Sequence, residues 1–338
     1  MDRTLGGMIA QQQKRMIEVL AACKRVLLTT HVRPDGDAMG TLAALTLGLR
    51  SKGIETEALL LSRIPSKYAY VFEENGIGHH LAEADWPVGL ELGRFDTVLV
   101  ADTGTWSQLP GLRERLMGIG KPLLVLDHHQ TQEDWATVKL VDTAAPAAAE
   151  VAAGLLRAWD VKFTPAMAEA IYLGLVSDTG WFQYSSTRPA TMRLAAELME
   201  IGVDTDRLQK RMYQSEPAHR IVLQAAIQAS LELLGGDRLA VMHCRKIDFE
   251  RAKAHLSDTE NVINVPMQIA SVEVSVLLVE QPDGGPIRVS LRSKGQVDVS
   301  KIAERFGGGG HARAAGLKIS GSLKEAQQKI AAAIIEAL

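Results

Sequence analysis

The chain of 338 residues is poor in cysteine and aromatic residues and has no surplus of positive charge. Its two cysteines, Cys23 and Cys244, lie far apart and outside any CxxC or CxxH spacing. That argues against a disulfide scaffold and reads as two reduced thiols in a cytoplasmic protein. The formal net charge is -3, with no basic tail or lysine-rich block. Binding long duplex nucleic acid requires many neutralised phosphates, so that class of partner is not expected. A short phosphorylated substrate needs only a few local cations and stays open. The five tryptophans form no spaced stacking stripe, and Trp181 and Tyr184 read as core packing. The longest apolar runs, such as Leu42 to Leu49, are too short to span a bilayer, and the first twenty residues lack a signal-peptide core.

What is present is an ordinary globular composition, 46% hydrophobic and 23% charged, in a chain long enough for two domains. Helical spacing over 8–22 is followed by the apolar run Val26–Thr30, a helix over 38–50 stopped by Gly53, and strands at 57–61, 97–100 and 123–126. Continuous apolar strands separated by helices predict an α/β fold with a parallel sheet covered on both faces. Alanine- and leucine-rich helices over 146–158, 164–177 and 187–201 follow, then a long helical stretch over 204–234 broken or kinked at Pro217. Gly235-Gly236-Asp237 marks a turn into a smaller α/β region. Its expected strands are 239–243, 270–279, 287–291 and 317–319, and its helices 299–305 and 322–336. The expected division is a first domain over 1–190, a helical connector over 191–234 and a second domain over 235–338. The 204–234 stretch serves as connector or as a homodimer interface.

Chemistry-bearing residues gather at the strand ends. His31, Asp35 and Asp37 lie in T-H-V-R-P-D-G-D, just past the first strand. Asp102 follows the 97–100 strand in A-D-T-G, Asp127-His128-His129 ends the next, and Asp178 follows the 164–177 helix in S-D-T-G. Ligands of parallel α/β sheets bind beyond the carboxyl ends of the strands. Each Asp-Gly alone is a turn signal. Together, these carboxylates and imidazoles are the ligands expected for manganese, magnesium or zinc-like ions. A carboxylate bridging two ions ~3.5–4 Å apart suits phosphoryl hydrolysis.

These motifs resemble the DHH phosphoesterases that carry a DHHA1 domain, specifically the group of oligoribonucleases and pAp phosphatases. H-V-R-P-D-G-D-A-M-G-T, A-D-T-G, L-D-H-H and S-D-T-G are similar to the family's four N-terminal motifs, and F-G-G-G-G-H-A-R-A-A-G at 306–316 resembles its C-terminal signature. The resemblance implies a first ion on His31, Asp35 and Asp102 and a second on Asp37, Asp102, His128 and Asp178, with Asp102 bridging. Manganese is the family's usual metal, and magnesium an alternative. Asp127 would orient a ligand, and His129 would contact the scissile phosphate or assist the leaving group.

Gly307-Gly308-Gly309-Gly310-His311 is a poor helix interior. Its backbone N–H groups can approach an anion, especially if a helix begins near His311. Arg292 and Lys294, just past the 287–291 strand, are candidate phosphate cations, and Arg313 a weaker one. The resemblance raises a substrate-binding role for Arg292, Gly308, Gly309, Gly310 and His311. It implies that the small domain closes over the first and grips the substrate's terminal phosphate or base. His79-His80 reads as surface. The expected substrates are short RNA of about two to five nucleotides, released as mononucleotides, and pAp or dinucleotides. The alternatives are another enzyme of similar metal chemistry, acting on cyclic-dinucleotide products, polyphosphate or single-stranded DNA, and a noncatalytic nucleotide-binding protein.

Overall fold

The computed structural model describes residues 3–338 and divides into two compact units, one ending at Ser215 and the other Glu216–Leu338. The first is built on six parallel strands. They are β1 (Arg25–Thr30), β2 (Glu55–Leu60), β3 (His79–Leu81), β4 (Thr97–Ala101), β5 (Leu123–Asp127) and β6 (Val138–Val141), in the spatial order β3-β2-β1-β4-β5-β6. The order reverses between β1 and β4, which opens a crevice at their carboxyl ends.

Strand periodicity builds two cores. Val26, Leu28, Leu99, Ala101, Leu124 and Leu126 face one side of the sheet, and Leu27, Val98, Val100, Leu123 and Val125 the other. The first side is covered by helices α1 (Arg3–Ala21), α2 (Gly36–Ser51), α5 (Ala148–Ala158), α6 (Pro165–Asp178) and α7 (Pro189–Ile201). The short α3 (Ser66–Glu73) adds Tyr68, Val71 and Phe72 to that core, and α4 (Arg113–Leu116) adds Leu116 to the other. Sequence dictates several boundaries. Thr164 accepts a hydrogen bond from the Met167 amide and Pro165 occupies the first turn of α6, while Asp204 caps α8 (Thr205–Tyr213) through the Arg207 amide.

The second unit holds a mixed sheet. Its strands are β7 (Glu232–Leu234), β8 (Leu239–Cys244), β9 (Val274–Val279), β10 (Ile287–Ser293), β11 (Gly309–His311) and β12 (Ala314–Ile319), ordered β11-β12-β10-β9-β8-β7. Only β8 and β9 pair in parallel. Helices α11 (Val299–Glu304) and α12 (Leu323–Ile335) pack on one face. On the other lie α9 (Ala218–Ala229) and α10 (Lys246–Ala252). Among the described residues, no helix is long and apolar enough to cross a membrane.

The α/β class and the parallel first sheet agree with the sequence reading, and four local expectations change. The 204–234 stretch is two helices, α8 and α9, separated at 214–217, and it ends in strand β7. Pro217 cannot continue a helix interior, so it stands at the α9 N-cap. The strand expected over 270–279 begins at Val274, because 3-10 turns occupy 262–268. The helix expected over 38–50 begins earlier: Asp35 is the N-cap of α2, and Gly36 and Asp37 are in its first turn. No helix starts near His311. The end of the glycine run instead pairs with β12 as the edge strand β11, and it passes so close that a side chain at Gly310 would meet the Ala314 carbonyl at 2.5 Å.

Candidate metal centre

The crevice between β1 and β4 receives His31 from the end of β1 and Asp102 from the end of β4. Asp102 takes a left-handed backbone, with φ of 62°, and its buried carboxylate lies between His31 and His128. His31 Nε2 lies 3.4 Å from Asp102 Oδ2 and 4.0 Å from Asp35 Oδ1. His128, just past β5, puts its Nε2 3.4 Å from Asp102 Oδ1, 3.4 Å from Asp178 Oδ2 and 3.8 Å from Asp37 Oδ2. All six residues singled out as ligands therefore come together. They fall into overlapping groups able to hold a cation: His31, Asp35 and Asp102; Asp37, His128 and Asp178; and Asp102 with Asp127, His128 and His129.

The imidazoles are oriented for ligation. His31 Nδ1 lies 3.0 Å from the Val32 carbonyl and His128 Nδ1 3.3 Å from that of Ala145. A carbonyl only accepts, so each Nδ1 carries a proton, and Nε2 is the nitrogen whose lone pair becomes available to a cation once its own proton leaves. The carboxylates are held as firmly. Asp35 Oδ1 accepts from the amides of Asp37 and Ala38. Asp37, fully buried, accepts from the amides of Ala148 (2.6 Å) and Ala149 (2.9 Å) and from the Thr41 hydroxyl. The start of α5 thus braces a carboxylate that α2 supplies. Gly174 of α6 makes room for it: a Cβ there would fall 2.6 Å from Asp37 Oδ1 and 2.4 Å from Ala149 Cβ.

Electrostatics mark the cluster as incomplete. Burial, and then the negative charges of Asp102 and Asp178, push the Asp37 carboxyl well above the usual range, and burial and Asp102 raise Asp35. Burial opposes charging His31 and His128, yet Asp102 outweighs it and lifts His31 to about 9, and Asp102 with Asp178 lifts His128 to about 11. Burial opposes ionisation of Asp102 too, but those two imidazoles bring its carboxyl below the usual range. Asp102 Oδ1 and His128 Nε2 are buried and lack a hydrogen-bond partner. Buried polar atoms are seldom left so. Four carboxylates and two imidazoles around two orphaned atoms fit divalent cations, which would replace the protons that the crowded groups otherwise retain.

Asp127, whose Oδ1 accepts from the backbone amides of His128 and His129, also receives His129 Nδ1 at 2.8 Å. That bond raises the His129 imidazole above its usual range, although burial opposes it. His129 is half exposed, with Nε2 free.

The second unit carries the other candidates. Arg292 of β10 and His311 of β11 each pair with Ala314 of β12, so the two side chains share one cross-strand row and one face. Arg292 donates to its neighbour Leu291's carbonyl, while His311 is exposed. Lys294 Nζ donates to the carbonyls of Ile269 and Ala270, bonds that a phosphate contact would have to displace. The Arg313 guanidinium packs over Gly295. Of the remaining readings, His80 pairs with Glu57 in the edge strand β3, and Trp181 packs against Tyr172 and Tyr213. Sequence reasoning missed the Ala148 and Ala149 amides, Gly174 and Gln132, which bonds Asp127. The Ala148 and Ala149 amides and Gly174 meet Asp37 from segments distant in sequence, so no local signal marks them; Gln132 lies only five residues from Asp127, but no motif singles it out.

A parallel α/β sheet with carboxylates and imidazoles at its switch point is a centre suited to divalent cations. Residues 25–175 match the family model described as DHH family, N-terminal domain, and residues 237–338 that of the DHHA1 domain; the chain belongs to the DHH/DHHA1 phosphoesterase family. It is 28% identical over 330 residues to the bifunctional oligoribonuclease and PAP phosphatase NrnA of Thermus thermophilus, covering 97% of this chain and 95% of that one. It is 26% identical over 309 residues to the Bacillus subtilis protein of the same description, covering 90% and 92%. Its fold is similar to an exopolyphosphatase-related protein from Bacteroides fragilis, with a TM-score of 0.82 at 22% identity over 96% of each chain. A lesser similarity, with a TM-score of 0.55 at 16% identity over 98% of each chain, is to exonuclease RecJ bound to manganese.

Proposed function

We propose that this chain is a two-metal phosphoesterase that hydrolyses short oligoribonucleotides to mononucleotides and pAp to AMP and phosphate. The observation that carries the metal chemistry is the pair of orphaned buried atoms, Asp102 Oδ1 and His128 Nε2, at the centre of the acidic cluster. The substrate class is supported by the relatives described as bifunctional oligoribonucleases and PAP phosphatases, which the chain matches over nearly their whole length.

His31, Asp35 and Asp102 are the proposed ligands of one ion, and Asp37, Asp102, His128 and Asp178 those of the other, with Asp102 shared. Manganese is the proposed metal, with magnesium the alternative. When bound, two such ions supply Lewis-acid polarisation of the phosphoryl group and acidify a water. Hydrolysis joins the water oxygen to phosphorus, breaks the phosphorus–oxygen bond to the leaving group and returns a proton to the departing oxygen. His129 is the proposed group for that last step; the bond from its Nδ1 to Asp127 supports this reading, since it leaves Nε2 for the phosphate or leaving oxygen. In the second unit, Arg292, His311 and the backbone of Gly308, Gly309 and Gly310 are the proposed substrate-binding groups. Lys294 supports that region through the carbonyls it already holds.

The test is a manganese-supplemented panel of pAp, pApA, pGpG, a five-nucleotide RNA, a twenty-four-nucleotide RNA and inorganic polyphosphate. The expected result is turnover of pAp and the short RNAs, with the long RNA slowest. Preference for the long RNA sinks the short-substrate reading. Preference for polyphosphate moves the chain to the alternative within the same chemistry.

A further inference from the structure

Asp127 does not work alone. Its Oδ1 takes the His129 imidazole, while its Oδ2 accepts from the side-chain amide of Gln132 at 2.5 Å. The same amide nitrogen donates to the His129 carbonyl at 3.1 Å. Both acceptors lack hydrogens, so the nitrogen must be the end of the amide that faces them. Gln132 Oε1 is thereby turned into a buried position, where it has no hydrogen-bond partner. An unsatisfied buried carbonyl is costly, so the amide is held there by what its other end does.

The surroundings are shaped for it. Gly104, two residues past Asp102, lies against the amide, and a Cβ at that position would sit 1.9 Å from Gln132 Oε1. The loops after β4 and β5 are joined independently of Gln132. The Gly104 carbonyl accepts from the Glu133 amide and Trp135 Nε1, Glu133 Oε1 accepts from the Trp106 amide, and the Trp106 and Trp135 rings stack 4.4 Å apart. The backbone around Gln132 therefore keeps its course without the amide. What the amide adds is the direction of Asp127.

We propose that Gln132 is a positioning residue: by holding Asp127 Oδ2 and the His129 carbonyl with one amide, it fixes the His129 imidazole so that Nε2 faces the phosphate. The inference rests on the proposed contact between His129 and substrate. Outer partners of this kind are worth about 10- to 100-fold in activity or metal affinity. Here the effect falls on turnover, because no proposed metal ligand is touched.

The experiment compares Gln132→Ala, Gln132→Glu and Gly104→Ala in the full chain. The metal-free protein is read by the NMR signal of the His129 Nδ1 proton, and the manganese-loaded enzyme by kcat and KM. In Gln132→Ala, kcat is expected to fall about 10-fold, with KM and manganese affinity within about 2-fold of the parent and the imidazole proton shifted and broadened. Gln132→Glu has the same shape but no donor, and should not restore kcat. Gly104→Ala displaces the amide and should reproduce the effect, with no further loss when combined with Gln132→Ala. An unchanged His129 signal in Gln132→Ala overturns the proposal, as does a loss confined to manganese affinity. If instead His129→Ala leaves kcat intact, the substrate contact is wrong, and the imidazole signal alone still decides whether Gln132 orients it.

Discussion

The two units treat their acidic groups in opposite ways. In the second, Asp248 accepts from the Arg245 amide and guanidinium, and Asp258 accepts from the His255 amide. Each is satisfied within a few residues and caps the first turn of a helix. In the first, Asp35, Asp37, Asp102 and Asp178 converge from three segments, and every cation-binding group found among the described residues lies there. Crowding like charges out of water works against folding, since each raises the cost of ionising the next. A chain that keeps such a cluster beside fully satisfied carboxylates elsewhere has a use for the charge, and binding divalent cations is the use we propose.

The largest test of this contrast is Asp102→Ala. Loss of the shared carboxylate should lower phosphate release from pAp by more than the roughly 100-fold typical of an outer partner, and calorimetry should find manganese binding weakened in both steps. Retention of either would remove Asp102 from the bridge.

Next comes a matched pair in the two cores. Leu42 in α2 and Leu278 in β9 are both fully buried. Truncating either to alanine should cost about 2–5 kcal/mol, read by denaturant unfolding of each unit's transition. Only Leu42→Ala should also weaken manganese binding, because the helix it anchors presents Asp35 and Asp37. Equal effects on manganese would break the comparison.

Gly174→Ala is smaller. Its Cβ would press on Asp37 Oδ1 and Ala149, and overpacking of this sort costs about 1–3 kcal/mol. Both the melting temperature and manganese affinity should drop.

The smallest effect is the pH dependence. His31 and His128 are held up to about 9 and about 11, so cations must displace their protons. Manganese affinity should rise with pH from 6.5 towards 9, with proton release seen as a buffer-dependent binding enthalpy. In the metal-free protein, the stability that His31 gains from Asp102 is complete below its unfolded value of 6.5 and is lost as pH rises through about 9. A binding enthalpy independent of the buffer would show that the imidazoles are already neutral.

Legibility followed locality. Strands β1, β4 and β5 and helices α2, α6 and α7 were readable because long apolar runs and turn residues bound them. Their polar end residues, His31, Asp102, Asp127 and His128, stood out for the same reason. Strands β3 and β11 were not readable, since three residues carry too little periodicity and β11 is almost all glycine. The break in 204–234 was signalled by Pro217, but the strand after α9 was not, because Glu232–Leu234 pairs only with β8 and is otherwise exposed.

By itself, the sequence determined which side chains could ligate a cation and which strand ends would carry them, because ligand chemistry and turn chemistry are properties of single residues and short spacings. Tertiary structure alone decided that Asp102 faces both His31 and His128, that the start of α5 braces Asp37, and that Gln132 reaches Asp127 beside Gly104. The first two depend on segments far apart in the chain meeting within a few ångströms, the third on the loops after β4 and β5 lying side by side, and all on which buried atoms are left without a partner.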